Sequence, residues 1–168
     1  MTDLIDTVNE KLACTGIYFE PITDWHIERL SEYVRTPWPI DPLDTIHFNM
    51  ERGPSGALYF NGKMLGIIGV AVLWKGVGEV WTIIDDSIKH KYKRQLVVGV
   101  RTALDIAQIS LCLTRVQVAI ESDADYAESW PLALGFTLEG VMRNFGMDGS
   151  DYTLYGRIRP CQHQSSQL

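Results

Sequence analysis

The chain has 168 residues, 46% of them apolar, with a mean hydropathy near zero, which suits one cored domain and is short for two. A net charge of −6 disfavours general nucleic-acid binding, and no apolar run approaches the roughly 20 residues that a membrane span needs. The first residues, with Asp3, Asp6 and Glu10, lack the basic-then-apolar layout of a signal peptide, so the expected location is cytoplasmic.

Leu4, Ile5, Val8 and Leu12 recur at helical spacing after Asp3, a cap, and predict a short opening helix that ends at Gly16. Ile17 to Glu20 is a candidate first strand. Pro21, Thr23 and Asp24 supply a turn and a cap before Ile27, Leu30 and Val34, which lie on one helical face. His26, in that helix's first turn, reads as a satisfied structural histidine rather than a catalytic one. Three prolines, Pro37, Pro39 and Pro42, make Thr36 to Pro42 a stiff loop, because each removes a backbone donor and restricts the residue before it. Asp41 and Pro42 then start a second helix carrying Leu43, Ile46 and Met50.

From Ala57 the apolar period changes to that of strands. Ala57 to Phe60, the Asn61-Gly62 pair, Met64 to Leu73, a Lys75 to Gly78 turn and Glu79 to Ile84 predict a three-stranded antiparallel meander. Leu96, Val100, Ala103, Leu104 and Ala107 predict a helix, and Thr114 to Ile120 alternates again as a strand. A strand, helix, strand unit implies parallel neighbours and a right-handed crossover. A helix from about Asp123 to Leu134, a break at Gly135, a strand after it, a Met147-Asp148-Gly149 turn and a strand from Asp151 to Ile158 complete the order. No internal repeat is present. Cys14, Cys112 and Cys161 are odd in number and unpaired in spacing, and His26, His47, His90 and His163 are scattered, so neither a disulfide framework nor a metal site is expected.

The corner Trp130 to Arg143, W-P-L-A-L-G-F-T-L-E-G-V-M-R, resembles the closing corner of the acyl-CoA-dependent N-acetyltransferase family called GNAT, with Leu134, Gly135, Phe136, Glu139 and Gly140 carrying the match. The element order from Ile17 to Arg159 is also that of the family, with an extra helix in front. The resemblance implies an α/β (α+β) fold: a mixed, mostly antiparallel sheet flanked by helices, with parallel, splayed fourth and fifth strands. It implies one domain over residues 1–161, with 162–168 a flexible polar tail, and a monomer or homodimer. Trp81, Trp130 and the glycine-poor turn described next look like the divergent GNAT-like proteins encoded by short-tailed bacteriophages.

In the family, a glycine-rich turn after the fourth strand binds the cofactor pyrophosphate through backbone donors and a helix N-terminus. This chain has Lys89-His90-Lys91-Tyr92-Lys93-Arg94-Gln95-Leu96 there, and Gly99 lies too far into the helix to serve. The resemblance therefore implies acetyl-CoA as co-substrate, held by Ile83, Ile84, Asp85, Lys91, Tyr92, Lys93, Arg94, Gln95, Leu96 and Trp130, with no metal. Cations at the positive end of a helix dipole cost some tenths of a kcal/mol each unless an anion is present, roughly 0.3–1. Phosphates are the candidate anion, and a solvated basic face is the alternative.

The thioester is already activated, so catalysis needs an oriented amine, a base for its proton and an acid for the leaving thiolate. The resemblance makes Glu79 the base, against the alternative of an exposed strand-end charge. The family's tyrosine acid falls at Pro131, which leaves Tyr126, Ser129 or solvent, with Tyr126 the first choice. Trp38 and Trp81 are the candidate substrate-binding residues, although a tryptophan between prolines is also a packing anchor. The implied function is transfer of acetyl to a primary amine of a protein, a host protein included, or of a small molecule. The alternative is a GNAT-shaped binding module, phage-derived and directed at a host protein or a virion, without transfer chemistry.

Overall fold

Apolar residues three and four apart build the first helix. In a computed structural model that describes residues 2–33, 42–124 and 128–159, Thr2–Lys11 is helical (α1), and Ile5, Val8 and Leu12 bury the inner face. Asp3 lies inside the first turn rather than capping it, where its charge still complements the helix dipole, as Lys11 does in the last turn. The helix stops at Lys11, and Cys14 and Gly16, at φ 68° and 75°, turn the chain into β1 (Ile17–Glu20). Helix α2 (Asp24–Leu30) follows Thr23, and α3 (Pro42–Glu51) begins on its proline. Trp38 and the loop around it, Asp41, Tyr126, Cys161, His163 and the tail lie outside the described residues.

The meander is formed by β2 (Ser55–Phe60), β3 (Lys63–Trp74) and β4 (Val77–Ile84). Asn61 and Gly62, at φ 47° and 77°, make the two-residue turn that the right-handed twist of a hairpin requires. A four-residue helix, α4 (Asp86–Lys89), follows, in which the carboxylate of Asp85 accepts the Ser87 N–H at 2.8 Å. The long helix α5 (Lys93–Ser110) then crosses the sheet to β5 (Arg115–Glu121). Gly99 has a packing reason: a Cβ there would stand 2.7 Å from Leu58 Cδ1, so its absence lets α5 lie close on β2.

The helix expected over Asp123 to Leu134 is much shorter. Helix α6 covers Ser129–Ala133, and Pro131 in its first turn explains the late start, since a proline is tolerated only where no helical donor is needed. Gly135, at φ 86°, closes it in the left-handed conformation, while the Phe136 N–H donates to Pro131 O at 3.0 Å. Strands β6 (Thr137–Met142) and β7 (Tyr152–Ile158) follow.

Among the described residues seven strands form one sheet in the order β1-β2-β3-β4-β5-β7-β6. Every neighbouring pair is antiparallel except β4 and β5, which are parallel, as the crossover helix dictates. One core, with Val8, Leu58, Leu96, Val100, Leu104 and Val116, lies between the sheet and α1 and α5; truncating any of these leucines would cost about 2–5 kcal/mol. A second, with Ile27, Leu30, Ile46, Ile67 and Ile83, lies on the opposite face under α2 and α3. Asp105 on α5 pairs with Arg157 and Arg159, fastening the helix to the end of the sheet.

Candidate active site

The sheet divides at one place. Strands β4 and β5 pair only at Val77 with Arg115, Gly78 with Val116 and Glu79 with Gln117, although β4 stays paired to β3, and β5 to β7, along their lengths. Beyond Glu79 the parallel strands diverge, opening a V whose vertex is the Glu79–Gln117 pair. Glu79 is thus the third residue of β4 rather than its first. It is half-buried, which removes the reading as an exposed strand-end charge. Burial pushes its carboxyl above the ordinary value of 4.5, and Arg52 pulls in the opposite direction. A raised carboxyl is better matched to accepting a proton near neutral pH than an ordinary one.

Strand alternation fixes what shares the face with Glu79. Paired residues of adjacent strands point to the same side, so Glu79 lies level with Ala71 and Gln117, while Trp81 lies level with Gly69 and, on the next strand, Ser55. Trp81 packs against the second core, on the α2–α3 side. Its indole folds across Gly69, where a Cβ would meet Cε2, Cζ2 and Nε1 at 2.5, 2.5 and 2.6 Å. Ser55 Oγ and Trp81 Nε1 are buried and have no hydrogen-bond partner. Farther along the same face, Arg115 donates to Glu139 at 2.7 and 2.5 Å and to Gln117 at 3.1 Å, a bidentate pair lying over Gly156. Glu139 therefore braces β5 against β6.

At the mouth of the V stands the start of α5. No acidic residue occupies its first turn, and the exposed Lys93 and Arg94 do. Tyr92, half-buried against Phe60, is flanked by the ammonium groups of Lys63 and Lys91 at 5.2 and 5.5 Å from its ring centroid. Lys63 comes from the β2–β3 hairpin, so sequence reading confined to the turn had no means of finding it. The first N–H groups of an α-helix have no intrahelical partner, and with the dipole they make a place for an anion.

The other predicted cofactor residues divide by what their side chains do. Ile83, Ile84 and Leu96 are buried in the cores, leaving only backbone to a ligand, whereas Gln95 is half-buried on α5. The carboxyl of Asp85 is held below the usual range by hydrogen bonds from Ser87, with Arg29 and Lys63 adding to the effect. Trp130 packs against the first core and Trp81 against the second, so the two tryptophans stand on opposite sides of the sheet. His26 is structural: Nδ1 accepts the Thr23 N–H at 3.0 Å, Nε2 meets Tyr59 Oη at 2.9 Å, and burial lowers its pKa. No group of three or more potential metal ligands occurs among the described residues.

No protein-family model matches the chain, and no curated protein does. Solved structures do match. The yncA protein of Salmonella typhimurium, solved with its cofactor acetyl-CoA, superposes with a TM-score of 0.68 at 14% identity over 91% of this chain and 99% of that one. RimL, a ribosomal alpha-N-protein acetyltransferase in complex with coenzyme A, gives 0.68 at 14% over 86% and 94%. An acetyltransferase of the GNAT family from Streptococcus pneumoniae gives 0.62 at 15% over 84% and 98%. The chain has the GNAT fold, with the parallel pair of strands where that fold has it.

Proposed function

We propose that the protein is an acyl-CoA-dependent N-acyltransferase that moves acetyl from acetyl-CoA to a primary amine. The observation that carries this reading is the V itself, which opens at Glu79 and ends at the basic first turn of α5. A pantetheine arm lying between β4 and β5 would bring the thioester toward Glu79, with the phosphates at Lys91, Lys93 and Arg94 and the α5 backbone. Glu79 takes a proton from the amine, nitrogen attacks the thioester carbonyl, and the C–S bond breaks. The departing thiolate is protonated by Tyr126 or by solvent. The acetyl-CoA and coenzyme A bound to yncA and RimL support the choice of co-substrate.

One observation favours a second reading, a cofactor-holding or inert binding module. The position of the family's tyrosine acid is Pro131, a buried residue with no proton to give. Thiol release from acetyl-CoA against a panel of amines, for wild type and Glu79→Gln, separates the two. Turnover that depends on Glu79 is expected of an acyltransferase. Tight acetyl-CoA binding without turnover on any amine would favour the module.

A further inference from the structure

Across the vertex from Glu79 stands Gln117, its partner in the parallel ladder, so the two side chains leave the sheet on the same face from strands about 4.8 Å apart. Both are half-buried. Arg115, two residues earlier on β5 and on that same face, donates through Nε to Gln117 Oε1 at 3.1 Å, while its terminal nitrogens donate to Glu139 at 2.7 and 2.5 Å. A guanidinium has no acceptor, so the carbonyl oxygen of Gln117 must face it and the amide NH2 is turned away from Arg115. Glu139 grips the guanidinium at both ends. Gly156, the partner of Gln117 on β7, leaves this ion pair room above the strand, where a Cβ would run into the Glu139 carboxylate. The amide nitrogen of Gln117 has no hydrogen-bond partner among the described residues, and it is not one of their buried unpartnered atoms. No hydrogen bond joins Gln117 to Glu79, so a donor and a base stand side by side at the vertex.

We propose that Gln117 selects the acceptor: its amide N–H groups bind an oxygen carried two carbons from the reacting amine, as in an α-amino carbonyl compound or an amino ether. The proposal rests on the acyltransferase reading and adds a specificity-determining residue to it. The acyl-CoA would lie between the diverging strands, whereas Glu79 and Gln117 project from the face above them. An acceptor that presents its amine to Glu79 therefore meets Gln117 as well. The amine nitrogen cannot be the partner of Gln117, because its one lone pair attacks the thioester carbonyl. A hydrogen bond donated to that pair would stabilise the amine before reaction and be lost in the transition state. An alkyl group beside Gln117 would leave the NH2 without a partner, which costs free energy, while an oxygen satisfies it. Arg115 and Glu139 are positioning residues here, since they keep the amide from turning its own oxygen toward the ligand.

The test measures kcat/KM for thiol release from acetyl-CoA with methoxyethylamine and with butylamine, which differ only by an oxygen in place of a methylene, and with glycinamide. Rates are corrected for the free-base fraction of each amine. The readout for each protein is the ratio of the matched pair, in which general damage to the site cancels. Wild type should prefer methoxyethylamine by about three- to tenfold, the worth of one neutral hydrogen bond. Gln117→Leu should bring the ratio toward one and lower glycinamide turnover by a similar factor. Gln117→Glu, which keeps the shape and the bond from Arg115 but puts an acceptor where the NH2 was, should do the same. Arg115→Met, which lets the amide turn, should lower the ratio part of the way; a purely structural role for Arg115 would shift the melting temperature and leave the ratio alone. A wild-type ratio of one, or a preference that survives both changes at Gln117, would overturn the proposal. A fall equal for both amines would place Gln117 on the thioester and overturn it too. Failure of the acyltransferase reading looks different: no acetyl-CoA binding and no thiol release with any amine.

Discussion

The vertex and the mouth of the V are built on opposite principles. At the vertex, one half-buried carboxylate on a central strand is set by residues distant in sequence, with Arg52, Ala71 and Gln117 around it. At the mouth, the neighbours Lys91, Lys93 and Arg94 gather charge in water at a helix start, with Lys63 approaching from β3. The difference teaches where chemistry and affinity reside. A desolvated group changes its proton affinity, while exposed cations attract an anion strongly only at low ionic strength.

The largest effect should come from the vertex. Glu79→Gln keeps shape and hydrogen bonding but removes the base, so turnover should fall by roughly 10²- to 10⁴-fold while acetyl-CoA affinity stays put. Initial rates and a binding isotherm on the same preparations check this, and a matched fall in affinity would merge the two regions. If Tyr126 supplies the proton to the thiolate, Tyr126→Phe should lower the rate further and move the high-pH limb of the profile; a silent change assigns that step to solvent.

The mouth should show a smaller, salt-dependent loss. Replacing Lys93 and Arg94 together by Gln should weaken acetyl-CoA binding by on the order of tenfold or more and flatten its dependence on ionic strength. Turnover at saturating acetyl-CoA should be unchanged. Titrations at two salt concentrations decide it, and equal slopes for variant and wild type would return these residues to a solvated face.

Gly99→Ala tests the packing of α5 on β2 and should spare both regions. The added methyl meets Leu58, an overpacking cost of about 1–3 kcal/mol that helix propensity offsets by about 1. Denaturant melts should show that loss with the salt slope of acetyl-CoA binding intact.

The smallest effect is a pH dependence at the vertex. Because the folded carboxyl of Glu79 is raised above 4.5, the stability it contributes is present below that value and is lost as pH rises through the folded pKa. Glu79→Gln should therefore melt higher than wild type at neutral and alkaline pH, with the difference shrinking below pH of about 4. A variant that is less stable at pH 8 would show that Glu79 is not desolvated.

Most of the fold was legible because local rules agreed with the tertiary answer. The Asn61-Gly62 hairpin, the proline start of α3, the apolar stripe of α5 and the Gly135 corner each carry their reason within a few residues. Two elements escaped. Helix α4 is one turn closed by Asp85 and too short for periodicity, and α6 was overextended because the weight of Pro131 was missed. In the site, the basic turn was readable as a run of charge. The half-burial of Glu79, the unpaired Ser55 and Trp81 and the approach of Lys63 to Tyr92 are cross-strand properties, which no single segment encodes.

An acyltransferase of this fold must hold an acyl-CoA in the V. Isothermal titration of acetyl-CoA into the wild-type protein at low and moderate salt addresses this directly. The prediction is one site per chain, with affinity falling as salt rises and that slope reduced when Lys93 and Arg94 are changed to Gln. No binding up to millimolar acetyl-CoA at low salt would contradict it.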